Sequence, residues 1–427
     1  MRFVDFGLTS RSVSLNVPDW APAAGEIATL TVANGGLSNS FGSVVPSHLA
    51  QFWSSEVVNA YSGSVVNPHL GDYGSTLFNG AGHASGGNDN SVYALLFGKS
   101  SAEWRRLTTQ VDLFPLDGIA NQGLSSNHAI STDWGEWSAA PTPEEQPADR
   151  HSYADFAVLG PSSGGATYGT LYSVQPSSLG QQGYVLDPKV AHKVAISSQS
   201  AAASAWARGG ADSNSQTPAG VVFSELVGTR IYTECTGSTL WGGSPGFTRW
   251  YDTETESYVI GTGTGLTKSA HSTDGGALIH IPSRNLLVYL GAAGGTLSIR
   301  SMDVSVSQPS WNNTARTLSN SISVRASSPG WSCACWCSHN ERIIVGDVNG
   351  DANCVYEIEI PADLNETWTC TRVGFAEGQT IAWQTSGGGT SYKKWSYNEA
   401  TRTINYLLFV PKSGTTETVY VYRPRNT

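Results

Sequence analysis

The sequence predicts an all-β fold, a six-bladed β-propeller closed by an N-terminal strand, with seven blades as the alternative. The composition combines 47 Gly with 14 Trp and 17 Tyr, and hydrophobic residues make up 39%. Short aromatic strands joined by Gly, Ser and Asn turns have this composition. A unit of alternating apolar runs recurs along the chain, and its last copy lacks a final strand.

A repeated unit organises the chain from about residue 57 to its end. Each copy has two apolar runs around a polar turn, then a Gly-rich gap and an aromatic strand, often followed by Trp. The clearest copy is "GALIHIPSRNLLVYLGAAGGTLSIRSMDV". Three or four antiparallel strands at this period are typical of a propeller blade, because a ring of blades buries both faces of each sheet. The predicted blades are approximately 57–110, 150–200, 218–262, 271–315, 331–373 and 392–427, with an insert at 109–148.

The two ends of the chain are predicted to meet in the last blade. The final unit ends at "VYVYRPRNT", which supplies a third strand and no fourth. The N-terminal arm, 1–56, contains two alternating patterns, "SVSLNV" at 12–17 and "EIATLTV" at 26–32. We expect one of them to form the missing outer strand, which would remove an open sheet edge.

Charge and hydropathy argue against several classes of function. The formal net charge is −10 and no basic cluster is present, so nucleic-acid binding is not expected. No apolar run has the length of a membrane span. The opening "MRFVDFGLTSRSVSLNV" lacks the apolar core of a signal peptide, which predicts synthesis in a host cytoplasm without export. Combined with a composition typical of extracellular β proteins, this favours a virion protein.

Two patterns suggest metal binding, and neither has the required spacing. The stretch "DVNGDANC" at 347–354 alternates oxygen donors, but Ala352 and Ile358 stand where an EF-hand needs Gly and a bidentate Glu. We therefore predict a turn between the second and third strands of a blade. Three cysteines alternate in "WSCACWCS" without metal-ligand spacing, so we expect them to pack between sheets. No metal and no cofactor is predicted.

Two blades carry motifs of a known family. In "NGAGHASGGNDNSVYALLF" with "WRRL", and in "VGDVNGDANCVYEIEIP" with "TWTC", a Gly-rich turn precedes Val-Tyr on the third strand and Trp on the fourth. This order resembles the kelch-type blades of galactose-oxidase-like propellers. The stretch "VVNAYSGSVVNP" is similar to the first-blade opening of kelch-like proteins encoded by tailed bacteriophages and by bacteria. The resemblance implies a kelch-like propeller in a phage particle, most readily in its tail.

The candidate ligand site is the mouth of the central channel, where propellers place ligands on loops between blades. Residues ahead of the predicted first strands mix aromatic rings with short polar groups. This mix suits a sugar, since rings stack on C–H surfaces and polar groups bond hydroxyls. The candidates are His151, Tyr153, Trp206, Arg208, His271, Asp274, Trp331, Lys394 and Trp395. For each one separately, packing in turns or between blades is the alternative.

The insert at 109–148 is predicted to be a recognition loop through Asp133, Trp134 and Trp137, because exposed Trp anchors contacts. A loop that only covers the surface is the alternative. No catalytic arrangement stands out in the sequence. Asp274 has no clear carboxylate partner, and no nucleophile-elbow or phosphate-loop motif is present.

The leading function is therefore a bacteriophage structural or attachment protein, present in multiple copies. It would bind other virion proteins, a host-surface glycan, or both. A carbohydrate-active enzyme, either a glycosidase or an oxidase, is the alternative. A third class, the intracellular kelch-type scaffold, would need a partner domain such as BTB, for which the sequence has no room.

Overall fold

A computed structural model describes most of the repeated region and part of the N-terminal arm. The described residues are 17–33, 63–79, 92–108, 156–174, 189–200, 203–204, 206–212, 221–236, 247–267, 276–293, 295–324, 333–348, 351–383, 393–408 and 418–425. In these residues, strands dominate and form six four-stranded antiparallel sheets. Two short 3-10 turns lie at Pro161–Ser163 and Pro282–Arg284. No helix in the described ranges is long and apolar enough to cross a membrane.

The strands follow the chain sheet by sheet, after one strand from the N-terminal arm, β1 (Ile27–Leu30). Blade 1 comprises β2 (Ser64–Asn67), β3 (Ser75–Asn79), β4 (Val92–Phe97) and β5 (Ala102–Arg106). Blade 2 comprises β6 (Phe156–Leu159), β7 (Thr170–Ser173), β8 (Lys189–Ala195) and β9 (Trp206–Asp212). Blade 3 comprises β10 (Val221–Val227), β11 (Arg230–Thr236), β12 (Phe247–Asp252) and β13 (Ser257–Thr264).

The second half of the chain forms the remaining sheets. Blade 4 comprises β14 (Gly276–Ile281), β15 (Leu286–Ala293), β16 (Thr296–Asp303) and β17 (Trp311–Asn312). Blade 5 comprises β18 (Ala334–Cys337), β19 (Arg342–Val345), β20 (Cys354–Glu359) and β21 (Thr369–Gly374). Blade 6 comprises β22 (Trp395–Asn398), β23 (Thr403–Leu408) and β24 (Thr418–Tyr422), with β1 as its fourth strand.

The six sheets are arranged in a ring. The first strands contact one another in chain order, from β2 through β6, β10, β14 and β18 to β22, and β22 returns to β2. Each first strand is an edge of its sheet, so these strands surround a central axis and the later strands lie farther out. The architecture is a six-bladed β-propeller, which confirms the predicted fold class.

The N-terminal strand closes the ring. β1 pairs antiparallel with β24, with Ile27 opposite Tyr422. It comes from "EIATLTV", so the predicted closing strand is confirmed, while nearly all of "SVSLNV" lies outside the described residues. The segment after β1 also reaches blade 1, where the Ala102 amide donates to the carbonyl of Thr31 at 3.0 Å. The ring is thus closed by pairing between the two ends of the chain.

Hydrophobic cores lie between neighbouring blades because side chains alternate across each strand. β15 shows this alternation clearly. Its Leu287 and Tyr289 pack with Trp250 of blade 3, whereas Val288 and Leu290 belong to the core shared with blade 5. Each sheet therefore presents one apolar set to the preceding blade and another to the following blade, as a propeller requires.

The three alternating cysteines occupy such a core. Cys333, Cys335 and Cys337 are free thiols, buried among the apolar side chains of blades 4 to 6. Burial raises the pKa of the Cys337 thiol to about 11, so it stays protonated at neutral pH. The expectation that these residues pack between sheets is therefore confirmed.

Side chains from neighbouring segments cover the outer edges of two blades. In blade 3, the backbone amide of Thr262 on β13 donates to Gln308 Oε1 at 2.8 Å. In blade 6, the backbone amide of Ile27 on β1 donates to Gln379 Oε1 at 2.7 Å. Satisfied edge amides give another strand less to pair with, which protects these edges from association.

Candidate functional site

The antiparallel order of the strands sorts the connections between them onto two faces of the ring. Connections between blades, and between second and third strands, share the face at which each first strand begins; we name it the entry face. The opposite face is the turn face. Several of its connections are four-residue turns that end in a residue of positive φ, namely 253–256, 282–285, 338–341 and 399–402. The longest connections all join strand ends on the entry face, namely 31–63, 107–155, 313–333 and 375–394.

Most residues predicted at the channel mouth fall outside the described residues. These are His151, Tyr153, His271, Asp274 and Trp331. The residues of the predicted recognition loop, Asp133, Trp134 and Trp137, also fall outside them. Their assignment to a binding surface remains a prediction.

Trp206 and Arg208 occupy a different place from the one expected. From the sequence they are expected in a segment that leads into a first strand. They lie instead on β9, the outermost strand of blade 2, opposite Val194 and His192 of β8. Pairing with β8 extends the strand through the Gly-Gly pair of "WARGGADSN" to Asp212. Both backbone positions are therefore at the sheet edge farthest from the axis.

Trp395 begins the innermost strand β22, but its indole is only 1% exposed. Its ring stacks on Tyr422, with centroids 6.3 Å apart and an interplanar angle of 15°. It also meets Trp383 edge-on at 5.3 Å, and its Nε1 donates to the carbonyl of Ile344 at 3.3 Å. Trp395 therefore packs between blades, which was the alternative to a ligand contact, because its burial leaves no ring face for a ligand.

Lys394 is also buried, with 2% of its surface exposed. Burial lowers the pKa of its ammonium group to about 7, and the nearby thiol of Cys333 opposes this shift. A lysine held so far from water contributes to the inter-blade core and not to a ligand-binding mouth. The side chain of the neighbouring Lys393, in contrast, points into the central channel.

A cavity of about 290 Å³ lies on the axis of the ring. It is lined by residues from the first strands of blades 1, 3, 4, 5 and 6. The titratable side chains in its wall are those of Glu225, His280, Cys335, Lys393, Tyr397 and Glu399. Sequence analysis identified none of them as members of a common site.

The polar groups of the cavity are engaged with one another. Lys393 Nζ lies 2.9 Å from Glu225 Oε2 and also donates to the carbonyl of Ser224. This contact joins blade 6 to blade 3 across the axis. Burial lowers the pKa of His280, and the Glu225 carboxylate opposes this shift. His280 is therefore neutral at pH 7 and contributes a polar ring but no charge.

A second network lies where the cavity meets the turn face. The Tyr397 hydroxyl and His339 Nδ1 are 2.8 Å apart, and Glu399 lies 3.6 Å from that nitrogen. Ser338 donates to the same carboxylate. Burial raises the pKa of Tyr397 and lowers the pKa of His339, so this hydrogen bond joins a neutral hydroxyl to a neutral imidazole. The network links blade 5 to blade 6.

The stretch "DVNGDANC" joins β19 to β20, the second and third strands of blade 5, as predicted. Arg372 Nη2 donates to Asp351 Oδ1 at 3.2 Å, and the Tyr356 hydroxyl donates to Oδ2 at 3.2 Å. The hydrogen bond from Arg372 is the main cause of a lowered pKa at Asp351. The Asp351 carboxylate, which a bound cation would need as a ligand, is thus paired with Arg372.

Glu234 on β11 is a buried carboxyl group that sequence analysis missed. The Trp311 indole of blade 4 donates to its Oε1 at 2.5 Å. Burial raises the pKa of Glu234 to about 8, and the bond from Trp311 and the charge of Arg249 oppose this shift. Glu234 is therefore largely protonated at neutral pH. No local pattern marks it, because its partner is supplied by the next blade.

Replacing Glu234 by glutamine is expected to remove a pH dependence of stability. Between pH 4.5 and 8 the folded protein keeps a proton that the unfolded chain releases, so the contribution of Glu234 to wild-type stability should fall as pH rises. The fall approaches several kcal/mol at 1.36 kcal/mol per pKa unit. Urea titrations at pH 5, 6, 7 and 8 measure it. Equal slopes for Glu234→Gln and wild type would contradict the assignment.

The closed ring of six sheets defines the class of protein as a six-bladed β-propeller. No protein-family model matches the chain, and no curated protein matches it. A solved structure of oligogalacturonate lyase in complex with manganese is similar over 94% of this chain and 98% of its own, with 12% identity and a TM-score of 0.36.

Two further solved structures show weaker similarity. An auxiliary nutrient binding protein from Bacteroides ovatus has 11% identity and a TM-score of 0.32, over 85% of this chain and 84% of its own. TolB from Acinetobacter baumannii has 11% identity and a TM-score of 0.25, over 86% of this chain and 80% of its own. At these scores the likenesses carry no argument about function.

Proposed function

We propose that the chain is a bacteriophage structural or attachment protein, associated with the tail and built on a kelch-like propeller. Its entry face would bind another virion protein, a host-surface glycan, or both. The observation that carries the proposal is the unequal use of the two faces. The turn face has several four-residue connections, whereas the longest segments start and end on the entry face. Long connections on a rigid scaffold are where binding residues concentrate.

The axial cavity supports a binding role more than the enzymatic alternative. The carboxylates in its wall, Glu225 and Glu399, are engaged by Lys393 and Ser338. A glycosidase needs one carboxyl group to donate a proton and another to act as base or nucleophile. Because these carboxylates are bonded to other side chains, the cavity favours a structural role for the axis. Recognition would then take place on the entry face.

The proposal is tested by binding of the purified chain to a glycan array, to host cells, and to particles assembled without it. We expect saturable binding that weakens at least tenfold in Trp331→Ala or in the double variant Trp134→Ala/Trp137→Ala. Trp20→Phe is the control, because Trp20 donates its indole N–H to the carbonyl of Gly98 on the turn face. Its binding should equal that of wild type.

Two results would contradict the proposal. The first is a folded wild type that binds neither glycans, nor host cells, nor the deficient particles. The second is binding that is lost in the Trp20→Phe control and retained in the Trp331 and Trp134/Trp137 variants, since this would place recognition on the turn face.

A further inference from the structure

We propose that Lys393 locks the propeller ring, by fixing the seam between the last and first blades and tying that seam to the opposite side of the channel. The seam is the contact of β22 with β2, the innermost strands of the last and first blades. The same side chain lies in the wall of the axial cavity. This inference concerns the scaffold and does not depend on the proposed ligand.

The backbone of Lys393 is held by hydroxyl groups from both sides of the seam. Its carbonyl accepts hydrogen bonds from Ser64 Oγ of blade 1 at 2.8 Å and from Ser396 Oγ of blade 6 at 2.5 Å. Lower on the seam, Asn398 Nδ2 donates to the carbonyl of Tyr73 at 2.9 Å. Lys393 therefore takes part in the polar contacts that join blade 6 to blade 1.

The conformation of Lys393 is unusual for a residue with a side chain. Its φ is 45°, in the left-handed region that costs a lysine free energy. Glu256, Asn285, Glu341 and Arg402 share a positive φ because they end four-residue turns. Lys393 instead lies just before β22 on the entry face. The two hydroxyls bonded to its carbonyl help to hold this conformation.

The side chain of Lys393 crosses the axis to blade 3. Blades 3 and 6 stand opposite each other in a ring of six. The ammonium group donates to Ser224 O and pairs with Glu225 Oε2 at 2.9 Å, a pair 168 residues apart in sequence. The two side chains are only 14% and 28% exposed, so solvent screens the pair less than it screens a surface pair.

One residue consequently contacts three blades. The contacts of Lys393 to blades 1 and 6 hold the seam together, and the bridge to blade 3 resists its outward displacement. The ring can open at this seam without a break in the chain, because β1 is held in blade 6 by pairing with β24 and not by a peptide bond. A ligand entering from the entry face would also meet the bridge across the axis.

Hydrogen exchange measured by mass spectrometry tests the lock on the full chain. We expect Lys393→Met and Glu225→Gln to speed amide exchange in β1, β2 and β22 at least tenfold. Exchange in β14 to β16, away from the seam, should stay within twofold of wild type. Lys193→Met is the control, because the Lys193–Glu256 pair also joins two blades, is 25% and 40% exposed, and lies outside the axial cavity.

Seam-selective exchange in both variants, absent from the control, supports the lock. Seam exchange within twofold of wild type in Lys393→Met and Glu225→Gln overturns it, as does equal acceleration across all blades. Glu225→Gln keeps the backbone contacts of Lys393 and tests the bridge even if Lys393→Met fails to fold. In that case 1 M salt should speed seam exchange in wild type more than in Glu225→Gln.

Discussion

Replacing Trp395 by alanine is expected to lower the free energy of unfolding by about 3–5 kcal/mol, the usual range for removing a buried Trp side chain. The indole is among the largest fully buried side chains in the described residues. Its loss would leave a cavity beside Tyr422 and Trp383 and would free the carbonyl of Ile344 from its donor. Urea unfolding followed by Trp fluorescence or circular dichroism measures the change.

A matched variant separates packing from ligand binding. Trp336→Ala removes another indole next to the axial cavity, but this residue is only partly buried and should cost much less stability. The decisive comparison is between stability and binding. If Trp395→Ala kept wild-type stability and lost glycan binding, the ring would be a ligand contact, and its assignment to the core between blades would be wrong.

Replacing Lys394 by methionine is expected to stabilise the protein by a few kcal/mol at pH 7 and below. At pH below 7 the folded protein must bury a charged ammonium group, whereas the unfolded chain exposes it to water. Between pH 7 and 10.5 the folded side chain is neutral and the unfolded one is still charged, so the contribution of Lys394 to wild-type stability should rise with pH. Methionine has a similar length and no charge to bury.

The measurement is the difference in unfolding free energy between Lys394→Met and wild type at several pH values. From pH 7 to 8.5 this difference should shrink by about 2 kcal/mol, at 1.36 kcal/mol per pKa unit. Cys337 and Cys370 also titrate more easily in the unfolded chain than in the core, but their contributions are common to both proteins and cancel. A difference that stays constant with pH would show that Lys394 keeps its charge in the folded state.

The closing strand shows why much of the fold could be predicted. A strand with a buried face alternates apolar and polar residues, and "EIATLTV" has this pattern next to a last unit that lacks one strand. The cysteines of "WSCACWCS" follow from the same two-residue period. Periodicity and repeats are local properties, so they predict the class of fold before any contact is known.

The candidate site was harder to predict because its contacts are not local. Trp395 was chosen for its position at the start of a first strand, which is where it lies, but alternation turns its ring into the core between blades 5 and 6. Lys393 and Lys394 are adjacent and chemically identical in the sequence. Their environments differ because one side chain enters the channel and the other enters the core.

The sequence alone determined the all-β class, the six repeated units and the closure of the ring by an N-terminal strand. Alternation, turn residues and repeat spacing act within one unit or between copies of it, so they can be recognised along the chain. The tertiary structure decided which charged groups meet. Lys393 and Glu225 are 168 residues apart, and only the closure of the ring brings them together across the axis.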